Sequence, residues 1–149
     1  MKTLFIYFSY TGSGDLVAER LASKGAEVRK VQMKKALPRS FFFGILKGGF
    51  LALTKKKSAL LDWNKNIEGY DHIIIGSPIW NARISSPINT VLSSLSLENK
   101  PLTFVFYAGS GTGKNAEMRV ANEYPNVKVL FLKEPKKYQE ELDKLDTLF

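Results

Sequence analysis

Residues 4–14, LFIYFSYTGSG, decide the fold. The first five are apolar or aromatic, and a short unalternating run of this kind is typical of a strand covered on both sides in a parallel sheet. The last six are mostly serine, threonine and glycine, which favour tight turns and the starts of helices. The stretch therefore predicts a β-strand that passes through a short loop into a helix.

The same order of strand and helix is repeated along the rest of the chain. Apolar runs at residues 73–75, 102–107 and 127–132 and a weaker, more polar candidate at 28–31 predict four further strands, with apolar residues at helical spacing between and after them. Parallel neighbours need such crossovers, so we predict a single α/β domain over residues 1–149: a doubly wound five-stranded parallel sheet with helices on both faces. The helical stripes are Val17, Ala18, Leu21 and Ala22; Ile88, Val91, Leu92 and Leu95; and Tyr138, Leu142, Leu145 and Phe149.

The amino-acid composition excludes several kinds of chemistry. The 149 residues include no cysteine and one histidine. Disulfides, thiolate nucleophiles and thiolate-bound metals are thereby excluded, and a histidine-based metal site is not expected. The apolar run at the start is too short for a secretory signal, so the sequence predicts a cytoplasmic protein.

Positive charge is concentrated in one segment. The chain has 22 Lys and Arg against 14 Asp and Glu, a net charge of +8. Residues 29–65 carry ten of the cations and one acid, which gives +9 for this segment and −1 for the remainder. A basic surface attracts acidic partners, and the chain contains no recognisable nucleic-acid-reading module. We therefore expect an acidic partner protein and no specific nucleic acid.

Residues 41–61, FFFGILKGGFLALTKKKSALL, combine an apolar run with a lysine cluster. Lysines interrupt the run and three glycines weaken a helix, so a membrane span is excluded. The segment is predicted to be a helix or loop packed on the sheet with solvated lysines, and the alternatives are a lid, a membrane-surface contact or a dock for an acidic partner. In the last two cases association depends on Lys55, Lys56 and Lys57.

Candidate ligand sites follow from the sheet. In a doubly wound sheet, ligands bind beyond the carboxyl ends of the strands, which here carry residues 9–14, 76–86 and 108–114. The first loop offers backbone N–H groups at a helix N-terminus and predicts an anion site, most simply for phosphate, with a plain helix cap as the alternative. Asp15 is expected to point away from such an anion.

Two common phosphate motifs do not match the glycine-rich residues 109–114, GSGTGK. The P-loop spacing requires glycine at Ala108 and serine or threonine at Asn115. The dinucleotide pattern G-x-G-x-x-G also fails, both there and at residues 12–17. ATP hydrolysis and a Rossmann NAD site are therefore not expected.

The three loops together resemble those of the flavodoxin family, and the resemblance covers nearly the whole chain. Residues 9–14 resemble its phosphate loop, although Gly14 stands where a hydroxyl residue is usual; residues 73–81 resemble the loop that holds the flavin ring; and residues 107–113 resemble the third flavin loop. The resemblance implies strand order 2-1-3-4-5, noncovalently bound FMN and electron transfer. The residues implied to bind FMN are Ser9, Tyr10, Thr11, Gly12, Ser13, Gly14, Ser77, Pro78, Ile79, Trp80, Asn81, Ala108, Gly109, Ser110, Gly111 and Gly113.

Different functions are compatible with this resemblance. The first expectation is an electron carrier whose redox partner is an acidic protein. The alternative is an NAD(P)H-dependent FMN oxidoreductase that reduces quinones or other small acceptors. A flavin-free binding module on the same fold is a third class, because a fold does not fix a function.

The charges of the two candidate ring loops lead to a further expectation. Residues 77–86 and 108–114 contain Arg83 and Lys114 but no acid. Since positive surroundings favour the negatively charged reduced flavin, the potential of bound FMN is expected to be less negative than in acidic flavodoxins. Arg83 is expected to be a surface charge, with contact to a substrate or to an NADPH phosphate as the alternative. His72 is expected to be a polar residue at a strand start rather than a proton carrier.

Overall fold

The computed structural model describes residues 1–35 and 57–149. These ranges contain six strands and four helices, and within them the second, third and fourth strands follow one another without a described helix between them. The strands are β1 (Thr3–Tyr7), β2 (Glu27–Lys30), β3 (His72–Trp80), β4 (Arg83–Ile84), β5 (Leu102–Ala108) and β6 (Lys128–Lys133). The helices are α1 (Ser13–Ser23), α2 (Ser86–Ser94), α3 (Lys114–Glu123) and a 3₁₀ helix (Gln139–Leu148).

Five of the strands form a parallel sheet in the order β2-β1-β3-β5-β6. The two-residue β4 pairs antiparallel with the end of β3. Because β5 and β6 are the fourth and fifth of the predicted strands, the predicted order 2-1-3-4-5 and the flavodoxin-like α/β class are confirmed. Every residue of β1 and β5 is buried, which explains why their sequences do not alternate between apolar and polar.

Helices cover both faces of the sheet. α1 and the 3₁₀ helix pack on one face, where Val17, Leu21 and Leu145 are fully buried. α2 and α3 pack on the other face through Ile88 and Val120. Each such side chain contributes about 1.5–3 kcal/mol by leaving water. The first turns of α1 and α3 lie at the carboxyl edge of the sheet, beside the loops predicted to bind a ligand.

β3 is longer than the three residues predicted for it, 73–75. It keeps parallel register with β1 as far as Gly76 and with β5 as far as Pro78, and its last two residues pair with β4. The hairpin turn consists of Asn81 and Ala82, whose φ angles of 51° and 62° are those that a tight two-residue turn requires. The segment predicted to be a flavin loop is therefore largely a β-hairpin.

The C-terminal segment is a 3₁₀ helix, whereas the spacing predicted an α-helix. With three residues per turn, Leu142, Leu145 and Leu148 share one face and pack on the sheet. Phe149, the last residue of the predicted α-helical stripe, is 48% exposed. Ala22, the last residue of the first predicted stripe, is also exposed. Both errors fall at the ends of helices, where the boundary of a helix is hard to predict from the spacing of its apolar residues.

Only the end of the segment 41–61 falls on described residues. Ser58 is buried, and its hydroxyl lies 2.6 Å from that of Ser86 at the start of α2. This end of the segment therefore packs against α2, where the Thr90 hydroxyl also donates to the carbonyl oxygen of Ser58. The predicted lid, membrane contact and partner dock, including Lys55 and Lys56, lie outside the described residues. Within residues 1–35 and 57–149, no helix is long and apolar enough to cross a bilayer.

His72 is the first residue of β3, as predicted, and it links two strands. Its Nε2 lies 2.8 Å from Oγ1 of Thr103 on β5. Burial, followed by the nearby charge of Lys128, lowers the pKa of His72. The imidazole is therefore biased toward its neutral form and serves as a structural contact.

Candidate functional site

A cavity of about 570 Å³ lies at the carboxyl edge of the sheet. This volume is within the range of small-molecule and cofactor sites. The end of β3 and the loops after β1, β5 and β6 form its walls. The cavity brings together these predicted site residues: Ser9, Tyr10, Thr11, Ser13, Pro78, Ile79, Trp80, Ala108 and Gly109.

Other predicted site residues do not line this cavity in the part of the chain that the structure describes. Ser77 is buried, and its Oγ accepts the N–H of Ser85 at 3.1 Å, so it fixes the hairpin. Asn81 is at the exposed hairpin turn. Ser110 bonds within its own loop, to the N–H of Thr112 at 3.3 Å. Gly111 and Gly113 shape the third loop, and Gly12 and Gly14 shape the first.

The first loop is organised by Ser9. Its Oγ accepts the backbone N–H groups of Gly12 at 3.2 Å and Gly14 at 3.1 Å. Gly12 has a φ of 96° immediately before α1, a conformation that favours glycine. Two of the amides predicted to surround a phosphate are thus engaged by Ser9. Thr11 and Ser13 line the cavity at the positive end of the α1 dipole.

Gly14 occupies a position with no room for a side chain. A Cβ there would lie 2.6 Å from the Tyr107 hydroxyl and 2.8 Å from Cβ of Ser9. The Tyr107 hydroxyl itself donates to the carbonyl oxygen of Phe8. The departure from the flavodoxin pattern at Gly14 therefore has a steric cause, because the space of the usual hydroxyl residue is filled by Tyr107.

Asp15 points away from the loop, as expected. It accepts a hydrogen bond from the Tyr7 hydroxyl at 2.9 Å and forms an ion pair with Lys30 at 2.9 Å. Burial and then the hydrogen bond to Asp15 raise the pKa of Tyr7, and burial raises that of Tyr107. Both phenols are therefore neutral at physiological pH, and the acid near the first loop is held by partners outside the cavity.

The loop after β6 forms a wall of the cavity that the sequence analysis missed. Nζ of Lys136 donates to the carbonyl oxygen of Thr11 at 2.7 Å, which places an ammonium group over the first loop. The loop, residues 134–137, directly follows the last parallel strand, so its position could have been deduced from the same rule that selected the other loops. The cavity-lining residues that the prediction left out are Tyr107, Glu134, Pro135, Lys136 and Lys137.

Glu134 brings a carboxylate into the cavity, contrary to the expectation of ring loops without an acid. Its Oε1 is 3.8 Å from the position that a Cβ on Gly109 would take. The backbone N–H of Glu134 donates to the carbonyl oxygen of Ala108 at 3.1 Å, which ties this loop to the third one. The two cations on which the expectation rested, Arg83 and Lys114, are not among the described residues that line the cavity.

The hairpin supplies the apolar wall. Ile79 is partly buried and lines the cavity, while Trp80 is only 3% exposed and packs edge-on against Phe8, with 5.9 Å between ring centroids. The Trp80 ring is therefore mainly a core group that borders the cavity. A Cβ on Gly113 would lie 3.1 Å from Cδ1 of Ile79, so the third loop approaches the hairpin closely.

These features define a flavodoxin-like α/β protein with a cavity at the carboxyl edge of its sheet, lined by the first loop, the hairpin and the loop after β6. Residues 9–136 match the model of the NADPH-dependent FMN reductase family. The chain belongs to this family, and its cofactor is FMN. No curated protein sequence matches the chain.

Solved structures show the same fold. A Bacteroides uniformis protein assigned to the flavoproteins is 26% identical, with 97% of each chain covered and a TM-score of 0.77. A flavoprotein of Lactobacillus acidophilus in complex with FMN is 21% identical over 93% of this chain and 97% of that one, with a TM-score of 0.70. An NADPH-quinone reductase from P. pentosaceus is 14% identical over 97% and 95%, with a TM-score of 0.50.

The resemblance to flavodoxins is thus confirmed for the fold and the cofactor, whereas the family is that of the FMN reductases. The motifs of the three loops concern the binding of a flavin and not its electron donor. They therefore did not distinguish the flavodoxins from the FMN reductases.

The residues of the cavity fit FMN. The first loop and the Lys136 ammonium offer donors and positive charge for the phosphate, and the wall of Ile79 suits a flat apolar ring. Gly109 also lines the cavity and leaves space beside its backbone, since a Cβ there would meet only Glu134, at 3.8 Å.

Proposed function

We propose that this protein is an NADPH-dependent reductase that uses bound FMN to reduce a small acceptor of the quinone class. Membership of the NADPH-dependent FMN reductase family supports the electron donor. The name of the P. pentosaceus neighbour, an NADPH-quinone reductase, supports the acceptor class. The observation that carries the proposal is the cavity itself, which is lined both by the polar first loop at the start of α1 and by apolar residues of the hairpin.

The chain's own residues have distinct tasks in this function. When bound, FMN supplies the redox chemistry, because its ring accepts a hydride and releases electrons to an acceptor. The loop held by Ser9 binds the phosphate, with Lys136 above it. The hairpin wall at Ile79 would contact the ring and shield it from water. The described cavity residues need only position the cofactor, and we assign no catalytic acid or base to them.

Turnover with a quinone tests this function. FMN-loaded protein is mixed with NADPH and a soluble benzoquinone, and the consumption of NADPH is followed. We expect catalytic consumption that requires both the quinone and the protein. An electron carrier, the first function inferred from the loops, would leave NADPH untouched until a separate reductase protein is added. In that case the acidic redox partner inferred from the basic segment would be the next ligand to seek.

Glu134 is expected to lower the potential of the bound flavin. Reduction adds negative charge to the ring, and a carboxylate beside Gly109 opposes it. Replacing Glu134 by Gln should raise the midpoint potential of bound FMN by about 30 mV, a modest shift because the side chain is exposed to solvent. Spectroelectrochemical titration measures the shift. Glu140→Gln removes an equal charge from an exposed site on the 3₁₀ helix and should leave the potential unchanged; equal shifts for both variants would show that Glu134 acts only through net charge.

A further inference from the structure

A second cavity, of about 220 Å³, lies on the other side of the hairpin. It is enclosed by β4, α2 and α3 and includes the first turn of α3. Its polar groups are the guanidinium groups of Arg83 and Arg119 and the side-chain amides of Asn89 and Asn115. None of the lining residues in the described ranges is acidic, so the lining itself carries two positive charges, one of which, on Arg119, is paired with Glu123.

Arg83 carries a donor without a partner in this cavity. Its Nε is buried and makes no hydrogen bond in the described part of the molecule. Burying a charged donor without a partner is costly, and the cost is relieved when an acceptor binds. Arg83 therefore lines the cavity with a guanidinium whose hydrogen-bonding capacity is not fully used within the described part of the molecule.

Arg119 is held in place on the facing helix. Its Nη1 donates to Oδ1 of Asn89 at 2.5 Å, and its Nε donates to Oε1 of Glu123 at 3.0 Å. These two bonds fix the plane of the guanidinium on the wall of the cavity. A fixed guanidinium loses little conformational entropy when it binds a planar or tetrahedral oxyanion.

The two cavities flank the same structural unit. Pro78, Ile79 and Trp80 line the FMN cavity, whereas Arg83 and Ile84 from the returning strand line the second one. The backbone N–H of Ala116 in α3 donates to the carbonyl oxygen of Ala82 at 3.0 Å, which ties the helix to the hairpin turn. Met118, 53% exposed, adds an apolar surface to the lining. Two arginines, whose guanidinium groups suit phosphate oxygens, beside an apolar surface fit the chemistry of a nucleotide.

We propose that the cavity between the hairpin and α3 binds the 2′-phosphate of NADPH, and that Arg83 and Arg119 thereby select NADPH over NADH. This inference rests on the proposed function, because it assumes that a reduced pyridine nucleotide approaches the FMN cavity. Arginine forms paired hydrogen bonds with phosphate oxygens, and the 2′-phosphate is the group by which the two nucleotides differ.

Reduction kinetics with the two nucleotides test the selection. Arg83→Gln and, separately, Arg119→Gln should weaken the apparent affinity for NADPH by about tenfold to a hundredfold, the loss expected for charge-assisted hydrogen bonds, and leave that for NADH unchanged. Lys114→Gln is the matched control, because Lys114 is exposed in the first turn of α3 without lining the cavity. Unchanged FMN affinity and thermal stability show that a variant is folded.

A binding measurement separates this inference from the proposed function. Calorimetry compares adenosine 2′,5′-bisphosphate with 5′-AMP, neither of which needs a reducible flavin. The wild-type protein should bind the bisphosphate more tightly, and Arg83→Gln should abolish the difference. If neither NADPH nor NADH reduces FMN, the proposed function fails while the calorimetry still decides on the site. Equal binding of the two adenosine phosphates by the wild type, or an unaltered NADPH preference in both arginine variants, would overturn the inference.

Discussion

Replacing Gly14 by alanine is expected to cost about 1–3 kcal/mol of unfolding free energy, the range for overpacking a close-packed site, and to weaken FMN binding at least tenfold. The new Cβ would lie 2.6 Å from the Tyr107 hydroxyl, 2.8 Å from Cβ of Ser9 and 2.9 Å from Cδ2 of Tyr7. Tyr107 cannot move away cheaply, because its buried hydroxyl is bonded to the Phe8 carbonyl oxygen. The strain is therefore relieved by displacing Ser9, which organises the phosphate loop.

Gly109→Ala is the matched control for this variant. Gly109 lines the same cavity, but a Cβ there would meet only Oε1 of Glu134, at 3.8 Å, which is an ordinary contact. Chemical denaturation and FMN titration of the two variants should therefore differ sharply. If Gly14→Ala were as stable and bound FMN as tightly as Gly109→Ala, the loop geometry described above would be wrong.

Removing the charge of Lys136 is expected to weaken FMN binding about tenfold, as expected for the loss of a charge-assisted contact, while riboflavin binding stays unchanged. The ammonium group lies over the first loop, 2.7 Å from the Thr11 carbonyl oxygen, at the position of the predicted phosphate. Riboflavin lacks the phosphate, so its binding should not depend on the charge of Lys136. Fluorescence titration of FMN and riboflavin with Lys136→Gln measures both affinities, and the salt dependence of FMN binding should become flatter.

Lys137→Gln serves as the control, because it removes a neighbouring positive charge of the same loop. Lys137 also lines the cavity, but its Nζ lies over the Tyr138 ring, 5.3 Å from the centroid. We expect little change in FMN affinity for this variant. Equal losses in both variants would mean that the loop acts through its overall charge, and equal weakening of FMN and riboflavin by Lys136→Gln would refute the phosphate contact.

The strands of the sheet could be predicted from the sequence because burial on both faces requires consecutive apolar residues. The unalternating runs of β1 and β5 follow directly from burial on both faces, and the loop at residues 9–14 follows β1 at the expected edge. The hairpin after Gly76 was harder to predict, because β4 has only two residues and its pairing depends on contacts with the end of β3. A strand of two residues is too short for any periodic pattern of apolar residues to be recognised in the sequence.

The composition of the site was only partly predictable. Ser9 was expected to touch the ligand, yet its Oγ is used to hold two loop amides, a choice that depends on three-dimensional loop geometry. Lys136 and Glu134 are distant in sequence from the other loops and reach the cavity because the chain turns across the sheet edge after β6. The sign of the charge near the flavin therefore could not be read from residues 77–86 and 108–114 alone.

Anaerobic stopped-flow mixing of the FMN-loaded protein with NADPH shows whether the nucleotide reduces the bound flavin. We expect rapid loss of the oxidised flavin absorbance at a rate that saturates with NADPH concentration, because the chain belongs to the NADPH-dependent FMN reductase family. The control is the Gly14→Ala protein, which should show little signal because it retains little FMN. Persistent oxidised flavin in a fully loaded wild-type protein, at every NADPH concentration, would contradict the account and favour a carrier reduced by another protein.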